Sequence, residues 1–173
     1  LGRVSLGSVG QTLLNSSTVP VALSPRGMRH APLDGLSRIT VMLGESGRWR
    51  GVLSKARTFA DRAGVPLRLV TVATGDSQDT AEIEKRTEAL LAEVRLDLAG
   101  LDDQRVQIVH AHSMSAAVLA MEWSRNELAF LGSARLAQSG RLFLGPDANK
   151  ILRVLPVPLV AVPADPADVG GGT

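Results

Sequence analysis

The residues with the most chemistry in their spacing lie in one loop. Gly132, Ser133 and Ala134 follow a short apolar run at 128–131. Arg135, Gly140 and Arg141 come next, and Gly145 stands before Pro146 and a helix-forming stretch. A glycine-rich passage from strand to helix can hold phosphate, because the first N–H groups of a helix lack intrahelical partners and the loop backbone can curl round an anion. Arg135 and Arg141 would add positive charge, unless they are solvated as most arginines are. Two residues work against the site. Pro146 is comfortable as a first helical residue but has no N–H to give. Asp147 places a negative charge at the helix N-terminus, where it satisfies the dipole itself and repels an anion.

Other reactive types carry weaker signals. His110 and His112 leave a strand two residues apart, so both imidazoles could face one ion. No third histidine or carboxylate is near them in sequence, and zinc needs three or four ligands; no metal is expected. His30 lies among turn-forming residues. Ser113 and Ser115 sit beside His112 without a Gly-x-Ser-x-Gly elbow, and helix-start chemistry accounts for both. No catalytic residue is assigned. Trp49 and Trp123 fall on predicted helices and read as packing residues. The glutamates of 82–97 read as a solvated helix face with opposite charges at helical spacing.

The elements that position these residues alternate. Strands are predicted at 39–43, 67–73, 105–110, 128–131 and 158–162. Between them a helix is predicted from about 48 to 63. Ser46 is its cap, Val52, Leu53, Ala56, Phe59, Ala60 and Ala63 are its stripe, and Gly64 is its stop. Asp79 and Glu82 form a capping box for a helix reaching about 98, with Ile83, Leu90, Leu91, Val94 and Leu98 inward. Further helices are predicted at 113–125 and 146–155. Strict alternation predicts an α/β fold with a parallel sheet and right-handed crossovers. Residues 26–37 read as a linker and 164–173 as a disordered tail.

Composition agrees with such a sheet. Of 173 residues, 45% are hydrophobic and only 3% aromatic, with no tyrosine, so the core must be aliphatic. The net charge of +2 comes without a clustered basic run, which argues against a nucleic-acid surface. Cysteine is absent, removing disulfides and thiolate chemistry. With no apolar span near membrane length, a soluble, cytoplasmic protein is expected.

The chain also repeats itself. A shift of 138 positions lays Gly2, Arg3, Leu6, Gly7, Leu14, Val19, Pro20 and Pro25 on Gly140, Arg141, Leu144, Gly145, Leu152, Val157, Pro158 and Pro163 without a gap. Residues 1–25, with a predicted helix at 8–16 and strand at 19–23, therefore read as the end of one unit. Residues 38–163 read as the whole of a second. Such a helix and strand cannot bury a core alone. Residues 19–23 are expected to lie antiparallel beside 159–162, as a pseudo-twofold between two units requires, in the same chain or a neighbour. That pairing would also cover an exposed apolar edge.

The order of elements, the loop Gly132-Ser-Ala-Arg…Gly140-Arg-Leu-Phe-Leu-Gly145 and the ending Pro156-Val-Pro-Leu-Val-Ala-Val-Pro163 resemble the universal stress protein family, in particular its tandem actinobacterial type. The resemblance implies a five-stranded parallel sheet of order 3-2-1-4-5 with helices on both faces, an adenine-nucleotide-binding-like fold. It implies homodimers or tandem pairs meeting through the last strand, here 19–23 against 158–162, and neither nucleic acid nor membrane as partner. One branch of the family binds ATP through Gly, two residues, Gly, nine residues, Gly-Ser/Thr, with an Asp after the first strand. The corresponding positions here are Gly44, Gly132, Ser133, Arg135 and Gly145. Gly132 and Gly145 fit. Arg135 replaces a glycine, Pro146 replaces Ser/Thr, and Gly44 stands at the Asp position. Glu45 is displaced by one residue and would point elsewhere. Leu6-Gly7-Ser8-Val9 keeps the end of the signature.

The resulting expectation is a stress-response binding and interaction protein with a degenerate ATP site, no resident cofactor and no enzymatic activity. One alternative is an ATP-binding member, with nucleotide held by 132–145 and slow hydrolysis, in which the arginines compensate. A third is a regulatory domain of a larger protein such as a transporter, which accounts less well for the repeat.

Overall fold

Runs of valine, leucine and isoleucine that pack on both faces become the central strands, as expected of a covered parallel sheet. A computed structural model describes residues 7–25, 28, 35–43, 49–73, 80–97, 105–111, 113–133, 140–144 and 146–165. Strands β2 (Arg38–Leu43), β3 (Leu67–Ala73), β4 (Arg105–His110), β5 (Glu127–Gly132) and β6 (Leu159–Val162) pair in parallel in the order β4-β3-β2-β5-β6. This is the expected 3-2-1-4-5 arrangement. A further strand, β1 (Val21–Leu23), joins antiparallel to β6, so the sheet has six strands and is mixed.

Alternation along each strand sends neighbours to opposite faces. Val41 and Phe130 enter one core, with Val52, Leu53, Ala56 and Ala60 of α2 (Arg50–Ala63) and Val94 of α3 (Thr80–Asp97). Met42, Ala129 and Leu131 enter the other, with Leu14 of α1 (Ser8–Ser16), Val118 of α4 (Met114–Ala120) and Ile151 and Leu152 of α5 (Pro146–Val154). Helices thus cover both faces.

Several boundaries differ from expectation. Helix α2 starts after Trp49, whose side chain caps nothing; Ser46 and Arg48 lie outside the described residues. Its stripe is narrower than predicted. Ala63 is exposed and Phe59 is 51% exposed; Phe59 flanks the contact, its ring 5.6 Å from that of Phe130. Gly64 does end the helix, in the left-handed conformation at φ 64 that glycine favours. Asp79 and Leu98, and the side chains of Glu82 and Ile83, lie outside the described residues, while Leu91 and Val94 are buried as expected.

Helix α4 stops at Ala120 rather than 125. The Trp123 indole N–H donates to the Val118 carbonyl at 2.8 Å, and the Glu122 carbonyl accepts from Arg68 at 3.0 Å. Both bonds need an extended path after the helix, so Trp123 is not helical. The end of the predicted linker is packed: Leu36 lies against the α2 core and Ser37 bonds Asn126. Order continues past 163 too. Ala164 is 4% exposed, accepting from Gly140 N–H at 2.9 Å and donating to the Arg141 carbonyl at 3.1 Å; residues 166–173 lie outside the described ones.

Candidate functional site

The central strands β2 and β5 are neighbours, yet the helices that follow them lie on opposite faces: α2 on one core, α5 on the other. Chain leaving adjacent strand ends in opposite directions opens a crevice at their carboxyl edge, where α/β sheets bind ligands. The candidate residues converge on this edge from the ends of β2 and β5.

At the end of β5, Gly132 is a strand residue in register with Val162. Ser133 follows and is buried. Its N–H donates to the Val162 carbonyl at 3.0 Å. Its hydroxyl lies 3.1 Å from the Val162 carbonyl and 3.2 Å from the Arg141 carbonyl, and accepts from Phe143 N–H at 3.2 Å. One hydroxyl proton serves two carbonyls while the oxygen receives an amide. Ser133 is thus a clamp between the strand exit and the returning segment 140–144, and its bonding is committed inside the protein.

That segment is a wall. Gly140 has φ 72, a conformation that glycine allows, so it supplies a turn. Leu142 and Leu144 are buried, and Leu142 N–H donates to the Ser17 carbonyl at 2.7 Å. Arg141 points to solvent. Helix α5 begins with Pro146, so its first residue offers no N–H. Gly44, Glu45, Arg135 and Gly145, and the side chain of Asp147, lie outside the described residues. The structure therefore brings Gly132, Ser133, Gly140 and Arg141 together. Gly7, matched to Gly145 by the repeat, has φ −73, and a Cβ there would meet nothing within 4 Å. This position does not require glycine.

Trp49 enters the same edge from β2. It is 2% exposed, with the Arg50 guanidinium 4.5 Å above its ring. Its indole N–H is buried and meets no acceptor among the described residues. Arg50 in turn reaches Glu93 at 3.4 Å and Asp97 at 3.2 Å on α3. The serines near His112 do what helix-start chemistry requires: Ser113 accepts from Ala116 N–H at 3.2 Å and lies 3.3 Å from the Ser115 hydroxyl. His112 and the His110 side chain lie outside the described residues. Among the described residues no group of three potential ligands could hold a metal. None of the described helices is long and apolar enough to cross a membrane.

A second polar cluster, absent from the sequence reading, sits at the opposite edge of the sheet. Glu127 opens β5 and is 1% exposed. One carboxylate oxygen accepts from Arg68 at 2.7 Å and from the Thr40 hydroxyl; the other accepts from Arg38 at 2.7 Å and from Ser124 N–H at 3.1 Å. Arg68 also donates to Thr40 at 2.9 Å and lies 5.1 Å from the centre of the Trp123 ring. Burial pulls the Arg68 guanidinium below its ordinary range, while the charge of Glu127 pulls it back up. The cluster ties β2, β3 and β5 into register. Each of its three charges is the lone charged residue of its strand, a signal that could have found it.

No family model matches the sequence. A universal stress protein of Mycobacterium tuberculosis is 31% identical over 174 residues, covering 93% of this chain and 59% of the relative. The chain thus spans about three-fifths of the length of the curated relatives it matches. A putative universal stress protein from Pseudomonas aeruginosa superposes with a TM-score of 0.65 at 15% identity, over 96% of this chain and 60% of its own. One from Archaeoglobus fulgidus superposes with a TM-score of 0.52 at 18% identity, over 98% of its own length but 73% of this chain.

Proposed function

The chain belongs to the universal stress protein family, and on that premise we propose that it is a binding and interaction protein of the stress response whose ATP site is degenerate. The observation that carries this reading is the commitment of donors at the crevice. The Ser133 hydroxyl is engaged by Val162, Arg141 and Phe143, and α5 begins on a residue without an N–H. Phosphate binding at a helix N-terminus depends on such free donors. Gly44, at the position of the family's Asp, supplies no carboxylate for the nucleoside end. No catalytic group and no resident cofactor belong to this reading. We place the protein in the cytoplasm, in keeping with a cysteine-free sequence.

The working surface in this reading is the β1–β6 seam, where a tandem unit or a second subunit would meet the domain. Its support is the repeat. Residues 8–16 and 146–154 are both helices, and the strands β1 and β6 fall on matched positions.

Calorimetric titration of ATP into the protein tests the site. No saturable heat is expected in the micromolar range; micromolar binding would overturn the proposal. Restoring Gly44→Asp, Arg135→Gly and Pro146→Ser together is expected to recover saturable binding. A folded triple variant that still ignores ATP would show the diagnosis of the lost groups to be wrong. The second reading, nucleotide held by 132–145 with slow hydrolysis, draws on the exposed Arg141 beside the wall. It predicts binding by the unaltered chain that Arg141→Ala weakens.

A further inference from the structure

The wall of the crevice is held by three parts of the chain. Just past β6, Ala164 accepts from Gly140 N–H at 2.9 Å and donates to the Arg141 carbonyl at 3.1 Å. Just past β5, the Ser133 hydroxyl accepts from Phe143 N–H at 3.2 Å. The third holder comes from the other end of the sequence. Leu142 N–H donates to the Ser17 carbonyl at 2.7 Å, the shortest of these four bonds.

Ser17 is a second serine knot. Its N–H donates to the Leu13 carbonyl at 3.0 Å and closes α1. Its hydroxyl donates to the Val19 carbonyl at 2.8 Å and accepts from Val19 N–H at 3.2 Å, the local turn that serine makes with the residue two further on. With those groups tied, its carbonyl is fixed in front of Leu142. Helix α1 adds one buried side chain, Leu14, in the same cluster as Leu142 and Leu144.

The bond to Ser17 has leverage on Ser133. Leu142 N–H and the Arg141 carbonyl belong to one peptide unit, which is planar and stiff, so neither group turns without the other. The N–H end of this unit is on Ser17. Its carbonyl end accepts from Ala164 N–H and lies 3.2 Å from the Ser133 hydroxyl. A rotation that breaks the first contact breaks the others. We propose that the N-terminal segment is an autoinhibitory strap on the crevice. By pinning the Arg141–Leu142 peptide unit, Ser17 keeps segment 140–144 against Ser133 and so withholds the donors of the wall from an anion.

The ligand class is a phosphate-type anion. Lifting the strap frees the Leu142 and Phe143 amides and the Ser133 hydroxyl beside the exposed Arg141, and donors next to a cation suit such a ligand. The strap is also the part best suited to move. Helix α1 buries Leu14 but leaves Val9 and Leu13 exposed, whereas β5 and β6 lie within the sheet, and segments with few buried contacts open first.

The proposal rests on reading the crevice as a site whose donors are committed. Its test uses the whole chain, with amide hydrogen exchange read residue by residue by NMR and circular dichroism for folding. Ser17→Ala removes the turn with Val19. Leu14→Ala loosens α1 from the core. Ser17→Thr keeps a hydroxyl in place. Ser17→Ala and Leu14→Ala are expected to speed exchange at Leu142 and Phe143 together, by roughly fivefold or more, the factor for losing one net hydrogen bond. Exchange in β2 and β3 should stay as in the parent, and Ser17→Thr should restore the parent rates at Leu142 and Phe143. Inorganic phosphate is expected to shift the Phe143 and Ser133 amide signals saturably in Ser17→Ala and to leave those of the parent in place. If neither variant speeds both amides, or if Leu142 is freed while Phe143 is not, the proposal is overturned. A Ser17→Thr chain as loose as Ser17→Ala overturns it as well, and so does a loosened wall that ignores phosphate. ATP bound by the parent chain would instead remove the degenerate-site reading. The coupling of Leu142 to Phe143 is measured without ligand and is decided separately.

Discussion

Glu127 receives bonds from four different residues in a nearly water-free position, so its removal leaves the buried Arg68 guanidinium without its carboxylate partner and Arg38 only partly solvated. Glu127→Gln is expected to destabilise by about 3–5 kcal/mol, the scale for breaking a buried ion pair on one side. Urea denaturation checks this. The exposed Arg50→Ala, by contrast, is expected to stay within about 1 kcal/mol, since surface ion pairs contribute little. Ser133→Ala removes the proton shared by two carbonyls and the acceptor for Phe143, at a cost of about 1–3 kcal/mol. Trp49→Phe goes the other way: it deletes a buried N–H that has no acceptor among the described residues and should be near neutral or stabilising. Single residues were the least legible in sequence. Gly140 and Gly7 look alike there, but one adopts a left-handed turn and the other an ordinary extended conformation. Ser133 reads as a ligand donor until the carbonyls around it are seen.

Elements were legible where one periodicity governed them. Strands β3 and β4 fall on the predicted residues, and so does α1. Helix α4 was overextended because residues 121–125 have no breaker; what ends it is a tertiary demand, the Glu122 carbonyl turned towards Arg68. The same long-range effect decides the N-terminal segment. Helix α1 leaves Val9 72% and Leu13 46% exposed, yet Leu14 is buried at 2%. Leu14→Ala is therefore expected to cost about 2–5 kcal/mol and to lower the thermal midpoint by several degrees, which differential scanning calorimetry would read. Leu13→Ala should have a smaller effect. An N-terminal segment merely lying on the surface would show no such contrast.

At the scale of the molecule, the two polar centres sit at opposite edges of the sheet. The ion cluster is at the amino ends of β2, β3 and β5 and the crevice is at the carboxyl ends of β2 and β5, a strand length or about 20 Å apart. The stabilising cluster and the candidate nucleotide site are thereby separated. A Glu127→Gln chain that still folds is expected to leave any ATP affinity of the restored triple variant unchanged, because sites so distant with no shared partners act additively. The overall arrangement was legible because strict alternation admits few topologies, and the repeat located the sixth strand. The closing of the crevice by Ser133 and the 140–144 wall was not, because it depends on carbonyls from Val162 and Ala164, far along the chain. The antiparallel seam also has a mechanical meaning. Val21 and Ala161 lie at the same end of the β1–β6 pair, so a load between residue 7 and residue 165 reaches the seam at that end once α1 has come away. The hydrogen bonds then open one after another, as a zipper does, instead of sharing the force in shear. Pulled in this way, β1 would leave early and at low force, while the parallel sheet behind it held.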